Sequence, residues 1–367
     1  MAEGALPPAE ARDRLRLIRS AHVGPAVFRQ LLGRYGTAAR AIEALPDLMR
    51  RGGHAQAPMI CSPAAAEDEI AAVEALGAHL LHLDLPGYPS ALAEIAGAPP
   101  VLTVNGRPEL METPSIAIVG ARNASAAGIR FTRQLAADLG AQGYAVVSGL
   151  ARGIDTAAHM AALPTGTIAA MAGGIDVVYP PENQGLYEHI AEEGLLLCEM
   201  PLGTKPQARH FPRRNRLISG LSLGVVVVEA AMRSGSLITA HNALEQGREV
   251  FAVPGSPLDP PCRGTNNLIR QGAVLTEGAE DIVHNLPDWP RRPAIKPIPP
   301  RPMTPHPDDA DDAARLAVTE KLGPTPVDVD ELIRQTGLTP EIVLTILLEL
   351  ELAGRLDRHA GNKVSMA

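Results

Sequence analysis

From residue 115 onward the chain repeats one pattern: a short, almost unbroken apolar run, a turn rich in Gly, Ser or Arg, then a stretch with helical spacing. The runs are "SIAIVGAR", "YAVVSGLA", "TIAAMAGG", "LLLCEM", "GVVVVEA" and "EVFAVPG", and "AVLTEG" leads into "AEDIVHNL" at the end. A strand with one wet face alternates apolar and polar residues, whereas a strand apolar throughout must be covered on both faces. Such runs, separated by helices rather than by hairpin turns, require a parallel sheet with helices on each side. The expected core is therefore a doubly wound, Rossmann-like α/β domain, with helices over 125–141 and 154–162.

The flanks are of another kind. "HLLHLD" and "PPVLTVNG" read as strands ahead of the alternation and extend this domain to 79–286. Residues 1–78 are expected to be a helical domain, with helical spacing from 11 to about 75 at Leu15, Ile18, Phe28, Leu31, Leu32, Ala41, Ile42 and Leu45, broken by "HVGP". A Gly-Pro turn between two amphipathic helices suits a SAM-like helix-hairpin-helix, which offers backbone N–H groups to a phosphate. A small helical bundle with an ordinary turn explains it equally well. Residues 287–307 hold nine prolines in 21 positions and read as a stiff linker. Residues 308–367 give a helix, a Gly-containing turn, a longer helix and a β-like tail, the order of a winged-helix domain. That segment has 12 acidic against 6 basic residues, and its longer helix, from Pro340 to about Ala353, carries Glu341, Glu349 and Glu351 with no cation. Like charge beside phosphates is costly, so a protein-docking or structural role is expected for it rather than duplex reading.

With 46% hydrophobic and 20% charged residues, a sizeable core can form. Cys61, Cys198 and Cys262 lie far apart with no metal or redox spacing and are expected to be reduced. The opening "MAEGALPPAEARDRLR" has no apolar signal segment, and no apolar stretch nears the roughly 18 residues of a membrane span. A cytoplasmic protein without membrane, metal or cofactor partners is expected.

Charge distribution is more informative than total charge. The formal net charge is −8, yet from Met200 to Val228 there is no Asp or Glu, and Lys205, Arg209, Arg213, Arg214 and Arg216 supply five cations. In a doubly wound sheet, ligands sit beyond the carboxyl ends of the strands. Four turns at that rim are built for an anion. "GARNAS" has Gly120, Arg122 and Ser125; "SGLARG" has Ser148, Gly149, Arg152 and Gly153. "AGG" includes Gly173, and "RSGSLITA" places Ser234, Gly235 and Ser236 at a helix start. Small residues with free N–H groups at helix N-termini bind phosphates, although each turn singly is also ordinary tight-turn geometry. There is no G-x-G-x-x-G, no Walker lysine and no acidic ribose-binding residue, which argues against a dinucleotide cofactor or an ATPase. Asp155 and His159 share a helical face as a metal pair or, more simply, as an N-terminal Asp bonded to a satisfied His. Glu229 and Glu245 read as a base or as partners for a nearby arginine.

Taken in order, "IAIVGARNAS", "VVSGLARGIDTAAH", "TIAAMAGGIDVVYPPEN", "LLLCEMPLG", "FPRRNRLISGLS", "VVVVEAAMRSGSLITAHNALEQGREVFAVPG" and "GTNNLIRQGA" resemble the DNA-processing protein A (DprA/Smf) family of bacterial transformation proteins. The likeness spans roughly 115 to 273. It implies a protein that is not an enzyme: it binds single-stranded DNA, protects incoming strands and hands them to a RecA-type recombinase, as a homodimer through the Rossmann domain. Carried onto this chain, the DNA-contacting positions would be Gly120, Arg122, Ser148, Gly149, Arg152, Gly173, Arg213, Arg214, Asn215 and Arg216. With 3% aromatic residues, contacts mainly to phosphate and sugar are expected, hence weak sequence preference and steep salt dependence. The alternative reading is an enzyme. "RSGSLITAHNALEQG" faintly resembles the signature of Rossmann-like nucleotide phosphoribohydrolases of the lysine-decarboxylase-like group, in which case Glu245 and Arg122 would flank a mononucleotide pocket. A pure protein-interaction scaffold would leave the acid-free basic stretch unexplained.

Overall fold

The computed structural model describes residues 6–53, 59–286, 310–359 and 361–367. The expected linker at 287–307 lies outside the described residues. Two compact units are present: one from residue 69 through the end of the sheet domain, and one that joins 6–68 with 310–367.

The first unit is built on a nine-stranded sheet. Its strands are β1 (His79–His82), β2 (Val101–Gly106), β3 (Ser115–Val119), β4 (Ala145–Ser148), β5 (Thr167–Ala170), β6 (Leu195–Cys198), β7 (Gly224–Val227), β8 (Glu249–Ala252) and β9 (Val274–Leu275). Their order is β1-β2-β6-β5-β4-β3-β7-β8-β9. From β6 to β9 all pairings are parallel, while β2 runs antiparallel to β6 and β1 antiparallel to β2. The sheet is thus mixed at one edge, where β1 and β2 come as a meander that needs no crossover helix.

Alternate residues of the apolar runs feed opposite layers, as the period of two demands. Ala117, Val119, Val147, Val225 and Val227 pack under the helices His210–Leu221 and Ser236–Glu245. Ile116, Ile118, Val146, Val226 and Phe251 pack under Ala126–Ala141 and Ile154–Ala162. The chain winds outward from β3 through β4 and β5 to β6, then returns past β3 to start β7. The strand order therefore reverses between β3 and β7, and that reversal opens a crevice at the carboxyl ends.

In the second unit, helices Pro8–Arg19, Pro25–Tyr35 and Ala38–Arg51 enclose Leu17, Val27, Phe28, Leu31, Leu45 and Met49. Pro25 opens its helix after Gly24, and Thr37 caps the next by accepting from the Arg40 N–H. Residues from Asp312 run helix, short strand, helix, helix, then a two-stranded wing of Leu356–His359 and Lys363–Met366. This is a winged helix, and it shares a unit with the N-terminal helices although the sequence places it some 240 residues away.

Candidate nucleic-acid interface

The loops after β3, β4, β5 and β6 converge over the carboxyl ends of β4 and β5, beside the reversal. Phe211, in the first turn of helix His210–Leu221, stands where these loops meet. Its ring lies 5.7 Å from that of Tyr179, tilted by 53°. The Arg122 guanidinium sits 5.2 Å and that of Arg214 5.9 Å from the Phe211 centroid, within cation–π range. Gly149, Gly173, Pro206 and these two rings line a shallow recess floored by Arg214. Tyr179 is 45% exposed and Arg122 is exposed, so the pair presents both a ring face and a charge to solvent.

Arg214 belongs to the floor. It is 5% exposed, donates to the carbonyl of Ala170 at the end of β5, and leaves its buried Nε without a protein partner. Burial lowers its pKa to about 10, Asp155 pulling the other way, so the group stays cationic at neutral pH. The geometry explains Gly149: a Cβ there would collide with the Arg214 guanidinium. Gly149 makes room for the cation. Gly173 similarly admits the 204–206 loop, its Cβ position lying 2.5 Å from the Thr204 carbonyl. Gly120 admits helix Ile154–Ala162, with Ile154 2.6 Å from the Cβ position.

The loop after β4 is held by two side chains from the helix behind it. Asp155 accepts the N–H groups of Gly149 and Ala151, and His159 Nε2 accepts that of Leu150. Thr167 gives its hydroxyl proton to the Val146 carbonyl, so His159 Nδ1 carries hydrogen and donates to the Thr167 oxygen. Asn183 donates to the Leu150 carbonyl. Leu150 sits in the left-handed region at φ 56°, a conformation that costs a non-glycine residue about 1–3 kcal/mol and persists only where the surroundings over-determine it. Asp155 and His159 are therefore not bonded to each other as expected; each bonds the loop. Burial pushes the Asp155 carboxyl up, opposed first by Arg214, and drops the His159 imidazole to about 3, so the ring is neutral. Among the described residues no group of three or more His, Cys, Asp or Glu is placed to hold a metal ion.

Several residues expected at the rim face elsewhere. Ser148 is fully buried and donates to the Ile118 carbonyl. Ser125 caps helix Ala126–Ala141 by accepting from Gly128 N–H, and its own hydroxyl and N–H both go to Glu229. A carboxylate of the protein thus occupies the helix N-terminus where a Rossmann-like domain would place a phosphate. Arg216 pairs with Glu199 and donates to the Gly97 carbonyl, with its side chain 17% exposed, so it fastens β6 to the segment before β2. Asn215 is buried and donates to the Gly235 carbonyl. Ser234 and Ser236 bond each other, 2.7 Å apart, and Ser236 is buried.

The solvent-facing cations of these rim segments are Arg122, Arg152, Lys205, Arg209, Arg213 and Arg233. Arg152 is 3.9 Å from Glu182 and Arg213 3.8 Å from Glu199, both side chains more than half exposed, so these contacts are weak. Glu245, which the enzyme alternative sets beside Arg122, ends the helix whose N-terminus is at the rim, about 15 Å further along at 1.5 Å per residue. There it is exposed and pairs with His241. The structure does not bring the two together.

The sequence reading missed the aromatic pair and Glu199, which neutralises Arg216, and it gave Glu229 as a base or an arginine partner, whereas Glu229 accepts from Ser125 at the start of helix Ala126–Ala141. Phe211 was signalled: it is the single aromatic residue inside the acid-free run. Tyr179 reaches it from the loop after β5, which only the tertiary fold shows.

Comparison with known proteins agrees along the whole chain. Residues 79–287 match the family model described as DNA recombination-mediator protein A, 8–72 that of the DprA-like N-terminal HHH domain, and 300–362 that of the DprA winged helix domain. Protein Smf of Escherichia coli strain K12 is 39% identical over 298 residues, 78% of this chain and 77% of that protein. The putative DNA processing protein DprA of Mycobacterium tuberculosis H37Rv is 36% identical over 358 residues, 96% of this chain and 86% of that one. Among solved structures, DNA processing protein A from Streptococcus pneumoniae superposes with a TM-score of 0.63 at 36% identity, covering 75% of this chain and 96% of its own. DNA processing protein A from Helicobacter pylori, whose structure concerns its single-stranded DNA binding mode, gives 0.52 at 30% identity, covering 56% and 94%. With a single model spanning more than half of its length and the same three domains in the same order, this chain belongs to the DNA recombination-mediator protein A family.

Proposed function

We propose that this protein binds single-stranded DNA across the carboxyl rim of its sheet, protects the strand and delivers it to a RecA-type recombinase, acting as a homodimer through the sheet domain. The observation that carries the DNA reading is the Phe211–Tyr179 pair flanked by Arg122 and Arg214 over the carboxyl ends of β4 and β5. A ring face accepts any base, and neighbouring cations take the phosphates on either side, the combination that binds single strands with little sequence preference. The single-stranded DNA of the Helicobacter pylori relative supports the same ligand here. In a duplex the bases are stacked and paired, so a base can reach Phe211 only from an unpaired strand. Contacting positions are Arg122, Arg152, Arg213 and Phe211 directly. Arg214, Gly149, Gly173 and Gly120 shape the recess, and Ser125, Ser148, Asn215, Arg216, Ser234 and Ser236 hold its walls. Recombinase delivery and dimerisation rest on the family alone.

Fluorescence anisotropy with labelled oligo-dT and the matching duplex, across a salt series, tests this. Wild type is expected to prefer the single strand, and Arg122→Ala with Arg213→Ala to flatten the salt dependence by about 0.7 in log–log slope for each phosphate left without its cation. Equal affinity for duplex, or an unchanged slope in the double variant, refutes it.

A further inference from the structure

The winged helix has an unusual feature at the helix that, by its place in the order, would enter a DNA groove. Helix Pro340–Leu352 is buried on two sides. Val343, Ile346, Leu347 and Leu350 face the winged helix's own core. Leu348 and Leu352, 3% and 0% exposed, instead join the N-terminal cluster of Leu17, Phe28, Leu31, Leu45 and Met49. Polar contacts follow the same line: Arg34 donates to Thr345 at 3.0 Å, and Arg355 donates to the Gly52 carbonyl at 3.1 Å. Glu349, at the seam, is 1% exposed and is held by Arg315 through two bonds of 2.8 and 3.1 Å. Two glycines mark how close the approach is. A Cβ on Gly52 would collide with the Glu349 carbonyl oxygen, and one on Gly354 would lie 2.7 Å from the His22 ring. On the helix, Pro340, Glu341 and Leu344 stay exposed, and none is a cation.

We propose that the partner of the winged helix is the N-terminal helical domain of the same chain, and that helix Pro340–Leu352 is a protein-docking element with no part in reading nucleic acid. An apolar stripe at i and i+4 laid against another helix's end, closed by a paired carboxylate, is the chemistry of a packed domain interface. A groove-reading helix instead keeps cations and polar side chains free for phosphates and base edges. The arrangement accounts for the acidity of this domain, since nothing on its third helix needs to approach DNA.

Hydrogen exchange on the full-length protein tests the docking without any DNA ligand, so its failure is separate from failure of the rim reading. Gly52→Leu adds a wedge at a residue whose φ of −69° accepts a side chain, leaving each domain's own backbone unstrained. Exchange at 346–354 is expected to rise about tenfold or more, with β4 unchanged. Leu352→Asp, from the other side, is expected to raise exchange at 45–53 while Val318 and Leu332 in the winged-helix core stay protected. If Leu352→Asp unfolds its own domain, Gly52→Leu decides alone. Unchanged exchange at 346–354 in Gly52→Leu overturns the docking. Duplex binding that tightens in Gly52→Leu reveals a held-back DNA reader and overturns the rest.

Discussion

His159 makes the stability of the rim loop depend on pH in a calculable way. Its ring is buried and neutral, accepting from Leu150 and donating to Thr167, and its pKa falls from 6.5 to about 3, first through desolvation and then through the nearby Arg214 charge. A base whose folded pKa lies below its unfolded value contributes stability that is complete above pH 6.5 and is lost as pH falls toward 3. At 1.36 kcal/mol per pH unit, the loss is about 2 kcal/mol at pH 5 and about 4 kcal/mol at pH 3.5. Carboxylates titrate over the same range, so the quantity to measure is the difference between wild type and His159→Gln, whose amide oxygen still accepts from Leu150. Hydrogen exchange at Val146, Val147 and Leu150 reads the local opening free energy at each pH. Wild type should lose about 2 kcal/mol more than the variant between pH 7.5 and 5. Parallel pH profiles would show that the imidazole is not held neutral, and the account of the Leu150 loop would fall with it.

Other perturbations separate ligand contacts from structural ones. Phe211→Ala should weaken oligo-dT binding about tenfold or more, since base–aromatic stacking contributes about 1–3 kcal/mol, while Phe211→Trp should retain it in the same anisotropy assay. Arg216→Ala should lower the urea midpoint by breaking the Glu199 pair yet leave the salt slope of binding unchanged, the opposite of Arg213→Ala, which should flatten the slope and leave the midpoint alone. Arg315→Met leaves Glu349 buried without its partner and should destabilise the terminal unit by about 3–5 kcal/mol, seen as an earlier unfolding transition, with Glu349→Gln restoring part of the loss.

Much of the architecture is legible in the residue pattern. The fully apolar runs dictate a covered parallel sheet, and the turns between them set the helix starts, so the helix expected over 154–162 matches Ile154–Ala162. Local chemistry is enough there, because strand burial and helix capping act within a few residues. The rim is legible as a charge pattern, which records what a segment carries but not which way each side chain points. Of three consecutive basic or polar positions, Arg213 points to solvent, Arg214 inward to Ala170, and Asn215 to Gly235. A helical turn rotates successive side chains by about 100°, and only the packing of the helix on the sheet decides which of them is buried. The neutralising partners, Glu199 for Arg216 and Glu229 for the helix beginning at Ala126, lie 17 and 104 residues away along the chain. The seating of Leu348 and Leu352 on the N-terminal helices is still more distant, because two stripes that are each ordinary in sequence become an interface only when the fold lays them together. Sequence determined the layers, the turns and the sign of the charge at the rim. The tertiary structure decided which charges remain free to meet a ligand, because burial and pairing are set by neighbours that the chain brings in from afar.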